Sequence, residues 1–171
     1  MAGHSVPALI ALGDLREAAL QYRGDVWKHI SAANSEEMGS TERNMEKSQA
    51  KVLASIAEME KLAGNEEARS TVLRLRSTWS RYEEKWREIR ETSRLGNENA
   101  KSYRRAAAEL HPIFLDLIGL VNQSTAQLNK EASEVKALTE TQSESGQRMA
   151  LLMMLMGLAL GIGLSWWLER G

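Results

Sequence analysis

The sequence predicts an all-α protein: an antiparallel up-down four-helix bundle whose last helix continues into a C-terminal transmembrane helix. Three observations carry this. Proline occurs only at Pro7 and Pro112 among 171 residues, in a composition rich in helix formers. Apolar residues recur at three- and four-residue spacing in four successive stretches separated by Gly- and Asn-containing turns. The chain closes on "MALLMMLMGLALGIGLSWWLERG", in which 149–168 contains no charged residue.

In the first helix Leu9, Leu12, Ala19, Val26 and Ile30 form the stripe, which ends near "AANSEEMGS". Gly39 is the expected stop there, with Ser40 or Thr41 as the next cap. The second helix carries Met45, Val52, Ile56, Met59 and Leu62 and ends at Gly64-Asn65. Asn65-Glu66-Glu67 supplies a cap and early acidic charge for the third. That helix has the cleanest heptad, Val72, Leu75, Trp79, Tyr82, Trp86 and Ile89, and breaks at Leu95-Gly96-Asn97. The fourth runs through Tyr103, Ala107, Leu110, Phe114, Leu117, Val121, Leu128, Val135 and Leu138, with a slight kink expected at Pro112. Short turns between amphipathic stripes favour a bundle over an extended two-stranded coiled coil.

About 20 apolar residues span a hydrocarbon core of about 30 Å, and Trp166 and Trp167 stand where an interfacial aromatic belt belongs. Gly157 and Gly161 make a G-x-x-x-G pair suited to close helix approach. The opening "MAGHSVPALIALGDLREAA" has no basic n-region, so the membrane signal is expected at the other end. The predicted division is a bundle domain over 1–148, a transmembrane helix over 149–168 and the start of a cytoplasmic linker over 169–171. A fourth helix of ~75 Å beside a first helix of ~45 Å leaves ~30 Å of overhang at 1.5 Å per residue. That mismatch leads to the expectation of an upstream membrane span absent from this sequence.

Lys and Arg total 22 against 23 Asp and Glu, a net charge of −1 that offers no footprint for nucleic acid. Cysteine is absent, which removes disulfides and thiol chemistry. His4, His29 and His111 are too scattered to suggest a metal centre. No phosphate loop, Ser/His/Asp order or inward carboxylate pair stands out, so neither an enzyme nor a bound cofactor is expected.

The stretch "VPALIALGDLREAALQYRGDVWKHI", the long final helix and the immediate span ending in "SWWLERG" resemble the four-helix-bundle sensor domain of bacterial methyl-accepting chemotaxis proteins. The resemblance implies a homodimer in the bacterial inner membrane, with its bundle in the periplasm. It also implies a small ligand, an organic acid or amino acid, bound near the membrane-distal end. The family's HAMP linker, methylation helices and kinase-coupling hairpin are not in this sequence. A histidine-kinase sensor domain shares the architecture, and a non-sensing membrane-anchored adaptor is the rival from another class.

Arg16 and Arg23 interrupt the line Leu9–Arg16–Arg23–Ile30. A cation at an otherwise apolar position suits a polar pocket facing a second bundle, and the planar guanidinium fork suits carboxylates. In the resembled receptors helix-one arginines hold ligand carboxylates, and Arg23, in the distal half, matches that role better than Arg16. The alternative is that both snorkel at the bundle edge beside acids. Arg90 flanks the Trp86–Ile89 seam, whereas Arg87 and Arg94 are expected to face water. Tyr103 is expected on the inward stripe near the height of Arg23, with Trp27 as a wall. No Thr or Gln near Tyr103 matches the family's amine-binding residue, which favours an organic acid. Ligand binding would move helix four by ~1–2 Å and pass the signal through the span.

Overall fold

In the computed structural model the described residues are 5–96 and 98–137. They are helical throughout, apart from three turns. Helix α1 spans Ser5–Ser31, α2 Ser35–Leu62, α3 Glu66–Arg94 and α4 Asn99–Arg105. A single π-helical turn, Ala106–Leu110, follows α4, and the backbone returns to α-helix from residue 111. By internal contacts the chain divides into Met1–Asn129 and Lys130–Gly171. The first unit is a four-helix bundle whose fourth arm is α4, the π turn and the segment to 129. In the second, 130–137 is an exposed helical segment with a Lys130–Glu134 ion pair at 3.9 Å.

The α1/α2 turn is shorter than expected because Asn34, not Ser40 or Thr41, caps α2. Its Oδ1 accepts from Glu37 N–H at 2.9 Å, and the Glu37 carboxylate reaches back to accept from Ala33 N–H at 2.9 Å. This reciprocal pair works like a capping box displaced by one residue, the carboxylate accepting from the N–H just before the cap instead of from the cap itself. It starts the helix four residues ahead of Gly39, which lies inside α2. Asn65 caps α3 as expected, accepting from Ala68 N–H at 2.7 Å. Gly96 takes φ +71 after α3, a left-handed conformation that glycine adopts without the Cβ clash other residues incur.

The stripes of α1 to α3 form the core much as the spacing predicts. Leu12, Ala19, Val26 and Ile30 meet Met45, Val52, Ile56 and Met59, and all six heptad residues of α3 are buried. Aromatic rings fill the centre. The Tyr22 ring lies edge-on to Trp79 at 5.0 Å, Trp79 stacks on Tyr82 at 5.7 Å, and Tyr82 tilts against Phe114 at 6.0 Å. Such pairs add about 0.5–1.5 kcal/mol each beyond area burial.

The fourth arm departs from expectation. Leu110, Phe114, Leu117 and Val121 are buried, but Tyr103 and Ala107 face outward and Ser102 and Ala106 take the inward positions. The π turn explains the one-residue shift. His111 N–H bonds to Ala106 C=O, an i→i−5 bond that inserts one extra residue into the turn. Pro112 supplies the cause. It has no N–H for Ala108 C=O, and its ring would collide with that carbonyl in a regular α-helix. The expected kink is thus taken up as a π turn that rotates the helix face above it. Val135 is exposed rather than on a buried stripe, and Leu138 lies outside the described residues.

No helix among the described residues is long and apolar enough to cross a membrane. The expected transmembrane segment 149–168 lies outside the described residues.

Candidate functional site

One seam between α1 and the fourth arm gathers the expected ligand groups most closely. Arg23 is half-buried on α1. Its Nη2 lies 3.2 Å from His111 Nδ1, and its guanidinium carbon sits 4.6 Å from the centroid of the Phe114 ring. A guanidinium only donates, so His111 Nδ1 accepts and its proton is on Nε2. One turn above, the Trp27 and Tyr103 rings lie 5.2 Å apart at 50°. Both contacts of Arg23 are with neutral groups, and it forms no ion pair among the described residues. Arg16, Arg43, Arg74, Arg87 and Arg104 are also without an ion pair among the described residues, but they are exposed, whereas Arg23 is half-buried; the other described arginines pair. Arg94 pairs with Glu42, Arg76 with Glu60, Arg81 with Asp116 and Arg105 with Glu109. A half-buried cation on neutral partners keeps a net positive field and several free donors.

The remaining expected residues stand elsewhere. Arg16 is exposed on α1. Arg90 is half-buried on α3 beside Tyr22 and His29; its Nε has no hydrogen-bond partner and sits 3.8 Å from Glu91. It does not join Arg23, because Arg23 faces the fourth arm and Arg90 the side of α3 that carries Glu83. There the Glu83 carboxyl is pushed up by burial, which outweighs the opposing influence of Arg87, Trp79 and Gln49. Tyr103 closes the seam from outside, with 58 % of its surface exposed, instead of from within.

Two residues that carry this geometry were not visible as site residues in the sequence. His111 reads there as a flank of Pro112. His29 is fully buried at the top of the bundle, where its Nδ1 is 3.1 Å from Ser93 Oγ and its Nε2 2.8 Å from Glu42 Oε1. Arg94 grips the same carboxylate through Nε at 2.9 Å and Nη2 at 2.8 Å. The guanidinium bonds hold the Glu42 carboxyl down to about 2, and desolvation lowers the His29 imidazole. Neutral His29 therefore donates to Glu42 and accepts from Ser93. A Ser–His–Glu chain of this kind suggests a nucleophile, but Ser93 is wholly buried and serves as a tie between α1 and α3. Among the described residues no three His, Asp or Glu side chains converge to hold a metal ion.

The family of four-helix-bundle sensory modules for signal transduction matches residues 5–143. The chain belongs to this family. The match extends from the start of α1 past the described end of the bundle, and it agrees with the resemblance to the sensor domain of chemotaxis receptors. No curated protein sequence and no solved structure matches the chain. The module's role in signal transduction therefore stands on its family and fold, and its ligand is a question for the site.

Proposed function

We propose that this sensory module is the extracytoplasmic part of a membrane chemoreceptor. In this reading it binds a small carboxylate, an organic acid or amino acid, at a distal interface between two copies. The observation that supports the ligand class is Arg23, a half-buried guanidinium whose neighbours His111 and Phe114 leave its charge uncancelled. A carboxylate would supply the missing anion in bidentate geometry, with Trp27 and Tyr103 as the aromatic edge.

A second copy would pack along the outward face of α1. Val6, Gly13, Leu20 and Trp27 recur there every seven residues, and Val6, Leu20 and neighbouring Ile10 are exposed. Gly13 and Gly24 have open space where a Cβ would project. Two mid-helix glycines each cost about 0.5–1 kcal/mol relative to alanine, and close approach of another helix is a physical reason to keep them. The signal would leave as a displacement of ~1–2 Å of the fourth arm toward the apolar segment 149–168, with the bundle in the periplasm and the anchor in the inner membrane.

Calorimetric titration of the full chain with succinate, citrate and aspartate tests the ligand class. Saturable binding of one of them, weakened at least about tenfold by Arg23→Ala, is the expected result. No heat with any of the three, or an unchanged affinity in the variant, removes the carboxylate reading.

A further inference from the structure

A second groove lies on the other flank of α1, where it packs on α2, away from Arg23. Its volume is about 570 Å³. Ala18 and Ala54 keep it open by their small size, while Asp14, Glu17 and Gln21 line it from α1 and Ser48, Lys51 and Ser55 from α2.

Most of its polar groups are unspent, the exception being Gln21, whose amide N–H donates to the Asp25 carboxylate at 3.3 Å. Ser48 and Ser55 are only 5 % and 8 % exposed, yet neither hydroxyl makes a hydrogen bond among the described residues. Other helical hydroxyls return to their own backbone: Ser31 to Trp27, Ser77 to Arg74, Ser124 to Leu120 and Thr125 to Val121. Neither oxygen is sealed from solvent, so both hydroxyls open onto the groove and are available to a ligand's polar atoms. Asp14, Glu17 and Lys51 likewise form no ion pair among the described residues, although α2 and α3 are laced with such pairs.

The antiparallel register arranges these groups in order. With His29 opposite Glu42, Ser48 falls within one turn of Gln21 and Ser55 within one turn of Asp14. The lower end therefore has the acids and one hydroxyl; the upper end has the amide and the other hydroxyl, with Lys51 between. Two acids and one lysine sum to −1, and a ligand of charge +1 neutralises the set.

We infer that the α1/α2 groove is a second small-molecule site, and that it takes a basic amino acid. The ligand's side-chain ammonium lies between Asp14 and Glu17, its carboxylate on Lys51, and its remaining polar atoms on Ser48 and Ser55. The site is independent of the carboxylate seam at Arg23, since the two use opposite flanks of α1.

The test is calorimetric titration of the full chain with L-lysine, with cadaverine, which lacks the carboxylate, and with succinate, which lacks the ammonium. L-lysine is expected to bind saturably and better than either. The Asp14→Asn, Glu17→Gln double variant should weaken it at least about tenfold, as loss of charge-assisted contacts does. The Ser48→Ala variant should weaken it less, and Arg23→Ala should leave it unchanged. Asp14 and Glu17 are exposed, so helical circular dichroism should be retained in the double variant. No saturation with L-lysine, or equal affinity in that variant, overturns the site; cadaverine binding as well as lysine overturns the amino-acid assignment. A loss of lysine binding in Arg23→Ala moves the ligand to the other seam and overturns it too.

Discussion

His29 Nε2 lies 2.8 Å from Glu42 Oε1, and this bond ties α1 to α2 at the head of the bundle. The groups facing the imidazole are Glu42 from α2 and Ser93, Trp86, Arg90 and Arg94 from α3. Both titrating partners act in the same direction with pH. Glu42 is depressed from 4.5 to about 2, so its contribution is complete above 4.5 and lost as pH falls towards 2. His29 is lowered from 6.5, so the fold favours the neutral ring, and stability begins to fall once pH drops below 6.5. Thermal unfolding followed by circular dichroism should show a midpoint that is flat above pH 7 and declines in acid. Glu42→Gln should lose much of that decline between pH 4.5 and 2, and a wild-type profile in this variant would remove the clasp.

The Pro112–Ala108 conflict accounts for the π turn, and its removal can be engineered. Deleting Ala108 together with Pro112→Ala restores a regular α-helix that still presents Ser102 and Ala106 inward above Leu110. The expected unfolding midpoint is at or above that of the wild type. A clear fall would mean the extra residue has another structural cause.

Trp79 is fully buried among Tyr22 and Tyr82, and its indole N–H faces the carboxyl of Glu83. Trp79→Ala should cost about 3–5 kcal/mol in urea unfolding through the cavity it opens. Trp79→Phe should cost less, roughly 1–3 kcal/mol, because it keeps a ring in the core but takes a donor away from the Glu83 carboxyl. Equal losses in the two variants would show that the contact with Glu83, and not the cavity, sets the cost.

The proposed pairing of two α1 faces makes opposite demands on stability and association. Gly13→Leu with Gly24→Leu should raise helix stability in the monomer, where nothing lies within 4 Å of either added Cβ. Sedimentation equilibrium should show the same variant shifted towards monomer. An unaltered association constant would place the interface elsewhere.

Much of the bundle could be read from spacing, because core-facing residues on helices obey one period. All six heptad residues of α3 are buried, and the Asn65 cap stands where its local chemistry puts it. The "NSEE" box at Asn34 was equally local, but Gly39 is a stronger-looking punctuation mark, and a capped helix tolerates a glycine at modest cost. Tyr103 and Ala107 could not be placed correctly, since periodicity assumes an unbroken α-helix and one inserted residue rotates everything before it. Of the expected ligand residues, Arg23, Trp27 and Tyr103 come together, whereas Arg16 and Arg90 do not. The partnership of Arg23 with His111, 88 residues on, depends on how two helices are rotated about their axes. A single sequence carries no signal for that.

The uneven placement of the indoles gives the molecule its own optical gauge. Trp79 and Trp86 are sealed in the interior, whereas Trp27 stands half-open at the rim beside Arg23. With Trp166 and Trp167 replaced by phenylalanine, iodide in the surrounding water should extinguish the red-shifted emission of Trp27 while sparing the blue light of the other two. Anything that covers that rim would then be seen as recovered fluorescence, without a label.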